Sequence, residues 1–532
     1  MSPHPPHVVA DCEQRRHELT DRYVAAIASL GRSKLDDCTI AELLTVDGID
    51  AWAASSLRES SFWTGDGFFA RITALATGRA ATQQRTTSVR RARIEALAYA
   101  LRSSAQVLRR RNSLPRLDTN DAAVVFVDYA TKSLSTTPYM SPYFGKLSEY
   151  LHRDRHSVGW LHLTSSGTPT SLTAAERSWM RAASSDPAHA FVRQFVTPSV
   201  LVAAVRSWWR MQRRAPRWNA VVDATNDDDL RLISVSLAHD YVSSVHGTVA
   251  MRTMLLGHAL RRAVASVRGD AVVVHPFEGQ GWETLLINEC VARSLTCVSY
   301  VHTIMKPWDV RALTALKSVK VENLVVHGAH DETEIRRTGS VAHVAEALRY
   351  QHLGRAVTRV TAPDAPVLFV GGADCEESTH LFDGIVASNT ASASPVTLWV
   401  KWHPQCVALT DHGSNVIVVN DSLEALFPQV RGVILAGTAA PLDSYLAGLP
   451  TCSVVTPGAF STNPLTPDDR YHVATDAAAA IRWVAGNSSN PTPTAGTAHV
   501  APDVGQWFVI DPDLPRWRAL IDNLTGQRSD AR

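Results

Sequence analysis

The pattern of apolar and polar positions changes near residue 120. Before that point, residues 17–30 and 91–109 follow the helical repeat, and no stretch alternates convincingly in the way a strand does. From residue 123 onward, short continuous apolar runs are separated by helical or loop-like stretches. The sequence therefore predicts a helical N-terminal extension over residues 1–118, followed by α/β structure.

The apolar runs after residue 120 form two series. Such runs are typical of parallel strands that are buried on both faces of a sheet. The runs are 123–128, 158–163, 271–275, 296–301 and 323–328 in the first series, and 366–372, 396–401, 415–419, 432–436 and 451–455 in the second. Strands alternating with helices indicate βαβ units. We predict an α/β fold of two Rossmann-like domains facing across a cleft, at 119–355 and 356–495, and a tail at 496–532 whose final helix packs back on the first domain.

Composition narrows the class of protein. Of the 532 residues, 45% are hydrophobic and 19% are charged, and the formal net charge is +1. This balance is typical of a globular protein and gives no reason to expect nucleic acid as a partner. The chain shows neither a run of apolar residues long enough to span a bilayer nor the apolar core of a signal peptide near its start, so we expect a cytoplasmic protein.

The cysteines and the Asp-x-Asp patterns give no metal site. Seven cysteines are scattered without a Cys-x-x-Cys or similar ligand spacing, so we expect reduced thiols and no structural zinc. Asp227 with Asp229, and Asp511 with Asp513, lie in polar stretches away from the predicted ligand edges. We therefore expect no metal and no cofactor.

The segment 432–455 shows the strongest local signal. An apolar strand leads into Gly437 and Thr438, and a helix is predicted to follow at once, with Pro441 in its first turn and Gly448 at its end. A small-residue turn at a helix N-terminus presents backbone N–H groups to an anion. The alternative, a tight βα turn without a ligand, is about equally consistent with the local pattern.

Lys401, His403 and Pro404 follow the strand predicted at 396–401. Ligands of open α/β sheets bind at the carboxyl ends of the strands, which is where these side chains fall. An ammonium group and an imidazole both suit phosphate, and the proline fixes the turn that directs the histidine. A lone His-Pro pair is usually a loop feature, but here the Gly437–Thr438 turn is expected at the same edge.

The first series carries polar residues at its own ligand edge. His275 and Glu278 follow one strand, and His302 and Lys306 follow the next. We interpret Glu278 as the general base, since it lies in a glycine-containing loop directly after a strand. Glu283 is interpreted as a capping carboxylate of the next helix.

Asp128 ends the first strand of the first series. It is a second candidate for the base, although many aspartates at such positions simply cap the loop.

Residues 199–218 combine an apolar start with three tryptophans and five arginines. A basic, tryptophan-bearing amphipathic helix indicates contact with anionic lipid headgroups. The alternative, a surface helix whose arginines extend over its own domain, is slightly favoured.

Five stretches together resemble the GT-B glycosyltransferases of bacterial surface-polysaccharide assembly, of the capsule and O-antigen type. They are HPFEGQGWE (275–283), YVHT (300–303), ALRY (347–350), KWHP (401–404) and GTAAPLDSYLAGLP (437–450). The resemblance covers about residues 120–525. It implies a metal-independent enzyme that takes a nucleotide-sugar donor and a glycan acceptor, which is lipid-linked in some such pathways.

The KWHP stretch is similar to the His-Pro motif of sialyltransferase-like and Kdo-transferase-like enzymes. That resemblance implies a CMP-linked ulosonic acid as donor, with its phosphate on Lys401 and His403. It implies the following donor-binding residues: Lys401, His403, Pro404, Gly437, Thr438, Ala439 and Asp443. It implies a further cleft group: His275, Glu283, Lys306 and Arg349. The 437–440 loop has fewer hydroxyls than its counterparts, and Asp443 stands where glutamate is usual, so the donor nucleotide stays open.

The sequence thus favours transfer of a sugar from a CMP-ulosonic acid to a surface glycan, with Glu278 or Asp128 as base and His302 orienting the reactants. A UDP- or GDP-sugar transferase, a CDP-polyol phosphotransferase and a non-catalytic sugar-nucleotide binder are the alternatives. We expect the protein in the cytoplasm, with peripheral contact at the inner face of the membrane through 199–218 as a further possibility.

Overall fold

The structure is a computed structural model of the full chain. The residues that it describes are 6–52, 54, 66–81, 88–108, 121–131, 134, 139–164, 174–183, 189–308, 310–354, 364–372, 374–403, 406, 415–436, 440–455, 460, 463–487 and 504–529. The chain divides into two units. The first unit comprises His17–Thr303, Asp309–Arg349 and Pro512–Arg532, and the second comprises Met1–Arg16, Ile304–Trp308 and Tyr350–Asp511.

The N-terminal segment is mainly helical. Its helices are α1 (Pro6–Gln14), α2 (Arg16–Arg32), α3 (Ile40–Leu44), α4 (Asp66–Thr77) and α5 (Val89–Leu108). The expectation of no strand before residue 118 is wrong, because four two-residue strands form two antiparallel pairs. They are β1 (Lys34–Leu35), β2 (Cys38–Thr39), β3 (Thr45–Val46) and β4 (Ile49–Asp50). Strands of two residues are too short to show an alternating pattern in sequence.

A parallel sheet of seven strands forms the centre of the first unit. Its strands are β5 (Val124–Tyr129), β6 (Val158–Leu163), β7 (His189–Phe191), β8 (Val272–Pro276), β9 (Thr296–Tyr300), β10 (Asn323–Val326) and β11 (Ala342–Val344). Their order is β11-β10-β9-β8-β5-β6-β7. The chain thus builds outward from β5 in one direction, then returns to the other side of β5 with β8. This is the doubly wound order of a Rossmann-like domain, extended by one strand.

Helices connect these strands, and six of the helices described after β5 precede β8. The helices are α6 (Leu147–Arg153), α7 (Ala174–Ala183), α8 (Pro198–Arg214), α9 (Trp218–Asp223), α10 (Asp228–His246), α11 (Thr248–Val264), α12 (Gly281–Ala292), α13 (Val310–Ser318) and α14 (Ala329–Arg336). α8, α10 and α5 all pack on α11, so α5 of the N-terminal segment packs together with helices of the long insertion after β7.

The second unit contains a parallel sheet of six strands. They are β12 (Val367–Val370), β13 (Leu398–Lys401), β14 (Val416–Val418), β15 (Gly432–Leu435), β16 (Thr451–Val454) and β17 (Tyr471–Ala474), in the order β14-β13-β12-β15-β16-β17. Its helices are α15 (Cys375–Thr390), α16 (Leu423–Leu426), α17 (Ala440–Leu446), α18 (Ala477–Asn487) and α19 (Val504–Trp507). This is again the doubly wound order. The prediction of two Rossmann-like domains is confirmed.

The last helix, α20 (Pro515–Ser529), is part of the core of the first unit. Trp517 is fully buried among residues of β5 and β8, and its indole Nε1 donates to the Glu346 carbonyl at 2.9 Å. The buried Glu346 carboxylate also accepts from the backbone N–H groups of Arg516 and Trp517, at 3.0 and 3.1 Å. A carboxylate at a helix N-terminus stabilises the helix there. The last helix is therefore fixed to the sheet of the first unit.

The prediction of reduced thiols is wrong at two positions. Cys375, the first residue of α15, forms a disulfide with Cys406, which follows β13. Their Cα atoms are 5.4 Å apart although 31 residues separate them in sequence, and that separation hides the pairing from a spacing argument. Within the described residues, no group of three or more His, Cys, Asp or Glu side chains is arranged to hold a metal ion. The helices that the structure describes include none long and apolar enough to cross a membrane.

Candidate active site at the carboxyl edges of the two sheets

Strand order determines where ligands bind in sheets of this kind. In the first unit the order reverses between β5 and β8, and in the second unit between β12 and β15. Helices leave adjacent strands in opposite directions at such a point, and a crevice opens beyond the carboxyl ends of the strands. Asp128 lies near the end of β5 and Glu278 follows β8, so both candidates for the base lie at the switch point of the first unit.

The Glu278 carboxylate is held by three side chains. Its Oε1 lies 3.3 Å from His302 Nε2, and its Oε2 accepts from Gln280 Nε2 at 2.6 Å and from Arg311 Nη2 at 3.4 Å. Arg311 Nε also donates to the Glu278 carbonyl at 2.8 Å. The side chain keeps 28% of its surface exposed. A carboxylate that is both oriented and accessible suits a general base.

Gly279 allows the loop between β8 and α12, which carries Glu278, to pack closely on α13. Its φ is +75°, which disfavours residues with a side chain, and an added Cβ would lie 2.6 Å from the Arg311 carbonyl oxygen. Glycine is thus required both for backbone conformation and for close approach. The contact places the first turn of α13, with Arg311, against Glu278.

Glu283 has the predicted capping role. It is the third residue of α12, and its Oε2 accepts from the backbone N–H groups of Glu278 and Gln280, both at 2.9 Å. The side chain is buried, and its Oε1 meets no hydrogen-bond partner among the described residues. Burial raises the pKa of Glu283 well above its usual value, and the charge of Glu278 acts in the same direction. Glu283 therefore fixes the loop that carries Glu278.

His302 is a buried, neutral neighbour of Glu278. Burial lowers the pKa of His302 to about 4, with Glu278 opposing the shift and Arg349 adding to it. The ring of Tyr143 meets that of His302 edge to face, with centroids 4.9 Å apart. Arg349 itself is exposed. A neutral imidazole that directs Nε2 at the carboxylate orients Glu278 without neutralising its charge.

Asp128 is the centre of a buried polar network. Its Oδ1 lies 2.5 Å from His162 Nδ1, and its Oδ2 accepts from the hydroxyls of Tyr139 at 2.6 Å and Ser141 at 2.9 Å. His162 Nε2 continues to His189 Nδ1 at 2.8 Å. Asp128 and His162 are fully buried. In this arrangement Asp128 holds the segment that begins at Tyr139, rather than presenting a free carboxylate to solvent.

The segment held by Asp128 leads to Glu278. Ser141 Oγ accepts from the backbone N–H of Tyr143, and Tyr143 is the residue that contacts His302. Burial raises the pKa of Tyr143 above its usual value, and the negative charges of Glu278 and then Asp128 contribute. Tyr143 therefore lies within electrostatic range of both carboxylates. The structure thus brings the two candidates for the base into one connected network.

His275 is a structural residue of this edge. It is fully buried, with Nδ1 2.8 Å from the Pro276 carbonyl and Nε2 2.8 Å from Ser299 Oγ. Burial lowers the pKa of His275 to about 4. Both ring nitrogens are engaged within the protein, so the imidazole is not available to a ligand.

Lys401, at the end of β13 in the second unit, is directed along the edge of its own sheet. Its Nζ donates to the carbonyls of Asp421 at 2.6 Å and Asn420 at 3.4 Å. Burial lowers the pKa of Lys401, and Asp421 opposes the shift. The ammonium group thus stabilises the loop between β14 and α16, with part of its hydrogen-bonding capacity in use.

Lys306 belongs to the second unit in the structure, whereas the sequence placed it at the edge of the first. Trp308, two residues later, is buried, stacks on Phe460 with centroids 4.3 Å apart, and donates from Nε1 to Glu13 at 3.0 Å. Burial lowers the pKa of His403, and the positive charge of Lys306 acts in the same direction. Trp308 therefore anchors a segment that brings Lys306 within electrostatic range of His403.

Several predicted donor-binding residues fall outside the described residues: Pro404, Gly437, Thr438 and Ala439. The helix predicted after them is present as α17, which begins at Ala440 and ends at Leu446, and Gly448 follows with a φ of +79°. Asp443 lies in its first turn and is half-buried. The predicted strand and helix on either side of the turn are therefore confirmed.

Four residues of the Glu278 cluster were not predicted from the sequence: Tyr129, Tyr143, Gln280 and Arg311. Gln280 accepts from Tyr129 and Trp282 and donates to Glu278, so it connects β5 to the base candidate. Its place in the HPFEGQGWE stretch was a usable signal. Arg311 and Tyr143 are distant in sequence and approach Glu278 only through the fold.

No protein-family model matches this sequence, and no curated protein matches it. Glycosyltransferases are among the solved structures that this chain resembles. The glycosyltransferase SnogD from Streptomyces nogalater is 13% identical over 77% of this chain and 99% of its own, with a TM-score of 0.34.

Two further structures resemble the chain to a similar degree. The lipopolysaccharide outer core galactosyltransferase WaaB is 9% identical over 76% of this chain and 99% of its own, with a TM-score of 0.35. The UDP-GlcNAc 2-epimerase from Methanocaldococcus jannaschii is 8% identical over 75% and 99%, with a TM-score of 0.40. All three TM-scores are below 0.5, so these likenesses carry no argument about the activity of this chain.

Proposed function

We propose that this protein is a glycosyltransferase that moves a sugar from a nucleotide donor to a glycan hydroxyl. The observation that carries the proposal is Glu278, an accessible carboxylate at the switch point of the first unit, held by His302, Gln280 and Arg311. A transferase of this kind needs an oriented base for the acceptor and a positive site for the departing phosphate.

Glu278 accepts the acceptor proton in this proposal. The acceptor oxygen forms a bond to the anomeric carbon, the bond from that carbon to the donor phosphate oxygen breaks, and the nucleotide leaves with the electron pair. The acceptor proton ends on Glu278. His302, Gln280 and Arg311 keep the carboxylate in position, and Asp128 acts indirectly by fixing the segment that carries Tyr143.

The departing phosphate is stabilised by Lys306 and His403 of the second unit. The charge of Lys306 lies within electrostatic range of His403. An ammonium group is a point charge suited to phosphate, and a neutral imidazole can donate to a phosphate oxygen. Lys401 contributes to the positive potential of the same edge while holding the 420–421 loop. We propose that these side chains replace a metal ion in stabilising the charge of the leaving group.

The donor is proposed to be a CMP-linked ulosonic acid, of the Kdo or sialic acid type, because of the Lys-Trp-His-Pro element at 401–404. The acceptor is proposed to be a bacterial surface glycan. Three functions compete with this proposal: transfer from a UDP- or GDP-sugar, transfer of a polyol phosphate from a CDP-polyol, and binding of a sugar nucleotide without turnover. Each predicts a different nucleotide preference or a different response to loss of Glu278.

The first experiment is a thermal-shift screen with CMP, CDP, UDP, GDP and dTDP. Under the proposal CMP raises the melting temperature most, because the ligand stabilises only the folded state. Preferential stabilisation by UDP, GDP or dTDP would exclude the CMP donor but keep the transferase, and preference for CDP would favour polyol phosphate transfer. If no nucleotide shifts the melting temperature, the proposed donor site is wrong.

The second experiment separates transferase from binder. The preferred donor is incubated with a panel of glycan acceptors, and product is detected by mass spectrometry with and without EDTA. Product formation that EDTA leaves unchanged supports metal-independent transfer. A protein that binds nucleotide and yields neither product nor hydrolysed donor with any acceptor would instead be a non-catalytic binder.

A further inference from the structure

The exposed side of α8 carries alternating apolar and basic residues. Val202, Arg206, Trp209 and Arg213 follow one another at spacings of four, three and four residues, so they form a single stripe along the helix. All four are exposed, Val202 by 58% and Trp209 by 45%. We refer to these four residues as the basic face.

The opposite side of α8 is firmly attached to the first unit. Leu201, Ala204, Trp208 and Met211 are buried, and the helix packs on α11. Thr197 caps its N-terminus by accepting from the Val200 N–H. The basic face is therefore presented by a helix that is fixed by its opposite side. Within the face, Trp209 also meets the ring of the buried Trp208 edge to face, with centroids 5.0 Å apart.

Acidic side chains offset only part of the charge of α8. The helix contains four arginines and no aspartate or glutamate. Arg210 pairs with Asp47, at 2.5 Å, and Arg214 donates to backbone carbonyls of β3 and α3. Among the described residues, Arg206 and Arg213 make no hydrogen bond or ion pair. The two arginines of the basic face thus present their full charge to solvent, in a chain whose net charge is +1.

The neighbouring helix α5 has the same character. Arg93 of α5 donates to Gln212 of α8 at 3.1 Å, which links the two helices. On α5, Ile94 is 59% exposed and Leu101 is 72% exposed, and Arg90 is exposed as well. Large exposed apolar residues beside unpaired arginines on two adjacent helices indicate a binding surface rather than an ordinary solvated face.

We propose that the basic face docks on the surface of an anionic lipid bilayer. An interfacial helix lies in the plane of the membrane with apolar and aromatic side chains at the boundary of the headgroups, and arginines beside them pair with anionic headgroups. Tryptophan is favoured at that depth because its ring is amphipathic. Trp209 and Val202 supply the apolar contacts, and Arg206 and Arg213 supply the charge. This proposal concerns binding alone and does not depend on the proposed function.

Charge decides between the lipid surface and a second copy of the chain. Two copies meeting through this face would bring four unpaired arginines together, and like charges at an interface oppose association. Nucleic acid also complements arginine, but its phosphates offer no apolar surface for Val202, Trp209, Ile94 and Leu101. An anionic bilayer complements both components.

The test is co-sedimentation of the full chain with vesicles. One set contains phosphatidylcholine alone, and the other contains about one part phosphatidylglycerol to two parts phosphatidylcholine. The wild type is expected to bind the anionic vesicles at low salt but not at high salt. It is expected not to bind the neutral vesicles. Arg206→Gln combined with Arg213→Gln is expected to weaken binding about thirtyfold, and Trp209→Ser several-fold.

Matched controls test whether position matters or only net charge. Lys320→Gln combined with Arg482→Gln removes the same charge from exposed sites elsewhere, and Val341→Ser changes an apolar residue that is 79% exposed. Both are expected to bind anionic vesicles as the wild type does. Melting temperatures check that each variant is folded.

Three outcomes would overturn the proposal: equal binding of neutral and anionic vesicles, loss of binding in the Lys320/Arg482 control as large as in the arginine pair, or no vesicle binding at all. A duplex DNA or RNA that binds through Arg206 and Arg213 while vesicles do not would assign the face to nucleic acid instead.

Discussion

The two sheets of this protein share one strand order but carry opposite chemistry at their carboxyl edges. At the edge of the first unit, Asp128 and Glu278 are surrounded by donors from the protein itself. At the edge of the second unit, Lys401, His403 and Lys306 provide a basic, half-exposed surface. The same Rossmann-like topology thus supports an acidic network in one unit and a cationic edge in the other.

The difference shows how much of each site is preorganised. The Glu278 carboxylate already has its partners, and Glu283 and Gly279 fix the loop that carries it. Such a group can accept a proton without rearrangement. Lys401, His403 and Lys306 of the cationic edge are each half-buried, so solvent reaches their side chains. We therefore propose that the first edge carries the chemistry and that the second binds phosphate. The following predictions test that division in order of expected effect.

Loss of the Glu278 charge is expected to have the largest effect. Glu278→Gln keeps the shape of the side chain but cannot accept the acceptor proton, so the turnover number should fall by a factor of about 10² to 10⁴. The affinity for nucleotide, measured by calorimetry, should stay within about twofold, because the proposed phosphate site belongs to the other edge.

Glu149→Gln is the matched control for this change. Glu149 lies on α6 with its side chain 48% exposed and pairs with Arg153. Its variant should turn over at the wild-type rate. Wild-type turnover of the Glu278 variant, or a parallel loss of nucleotide affinity, would contradict the separation of the two edges.

Loss of the Asp128 charge is expected to act through stability and position. Asp128→Asn leaves His162, Tyr139 and Ser141 with a weaker acceptor in a fully buried site, which should lower the free energy of unfolding by about 3 kcal/mol. Denaturant unfolding gives this value. If Asp128 positions Tyr143, turnover of the folded variant also falls while its pH profile keeps the wild-type shape. A changed pH profile would indicate that Asp128 itself exchanges a proton with the substrate.

The free energy of unfolding should also depend on pH, because of two buried histidines at the first edge. Burial lowers the pKa of His275 and of His302 to about 4, against about 6.5 in the unfolded chain. Between these values the unfolded state binds protons that the folded state does not, so the free energy of unfolding should fall as pH decreases from about 6.5 to 4. His302→Gln should reduce that slope in unfolding experiments. A slope equal to that of the wild type would show that His302 is protonated in the folded state.

The fold was predictable from the sequence because parallel strands leave a strong signal. Continuous apolar runs such as 158–163 and 432–436 correspond to β6 and β15. β7, β11 and β17 were missed, since they are short or mix apolar with polar residues. The strand order depends on packing between distant segments, which local periodicity does not contain.

The candidate site was predictable in part, because its residues follow the ends of strands that the sequence predicted. The rule that ligands bind at strand ends correctly brought Glu278 and His302 together. It could not show that Arg311 holds Glu278, or that Lys306 belongs to the second unit, because those positions follow from α13 and from the anchoring of Trp308. His275 also lies near a strand end, as Glu278 does, but it is fully buried, and the sequence did not show this difference.

The smallest effects are expected at the second edge, where they distinguish three cations. Lys306→Ala and His403→Ala should each weaken nucleotide binding about tenfold, because each removes one charge-assisted hydrogen bond to phosphate. Lys401→Ala should weaken it less than about threefold, because the Lys401 ammonium already donates to the Asn420 and Asp421 carbonyls.

Lys320→Ala, at a side chain that is 87% exposed, is the control for the loss of one positive charge and should bind nucleotide as the wild type does. Calorimetry with the preferred nucleotide measures all four variants. If Lys401→Ala weakens binding more than Lys306→Ala, the phosphate lies at the end of β13. The segment anchored by Trp308 would then have a structural role, and the cationic edge would be centred on Lys401 alone.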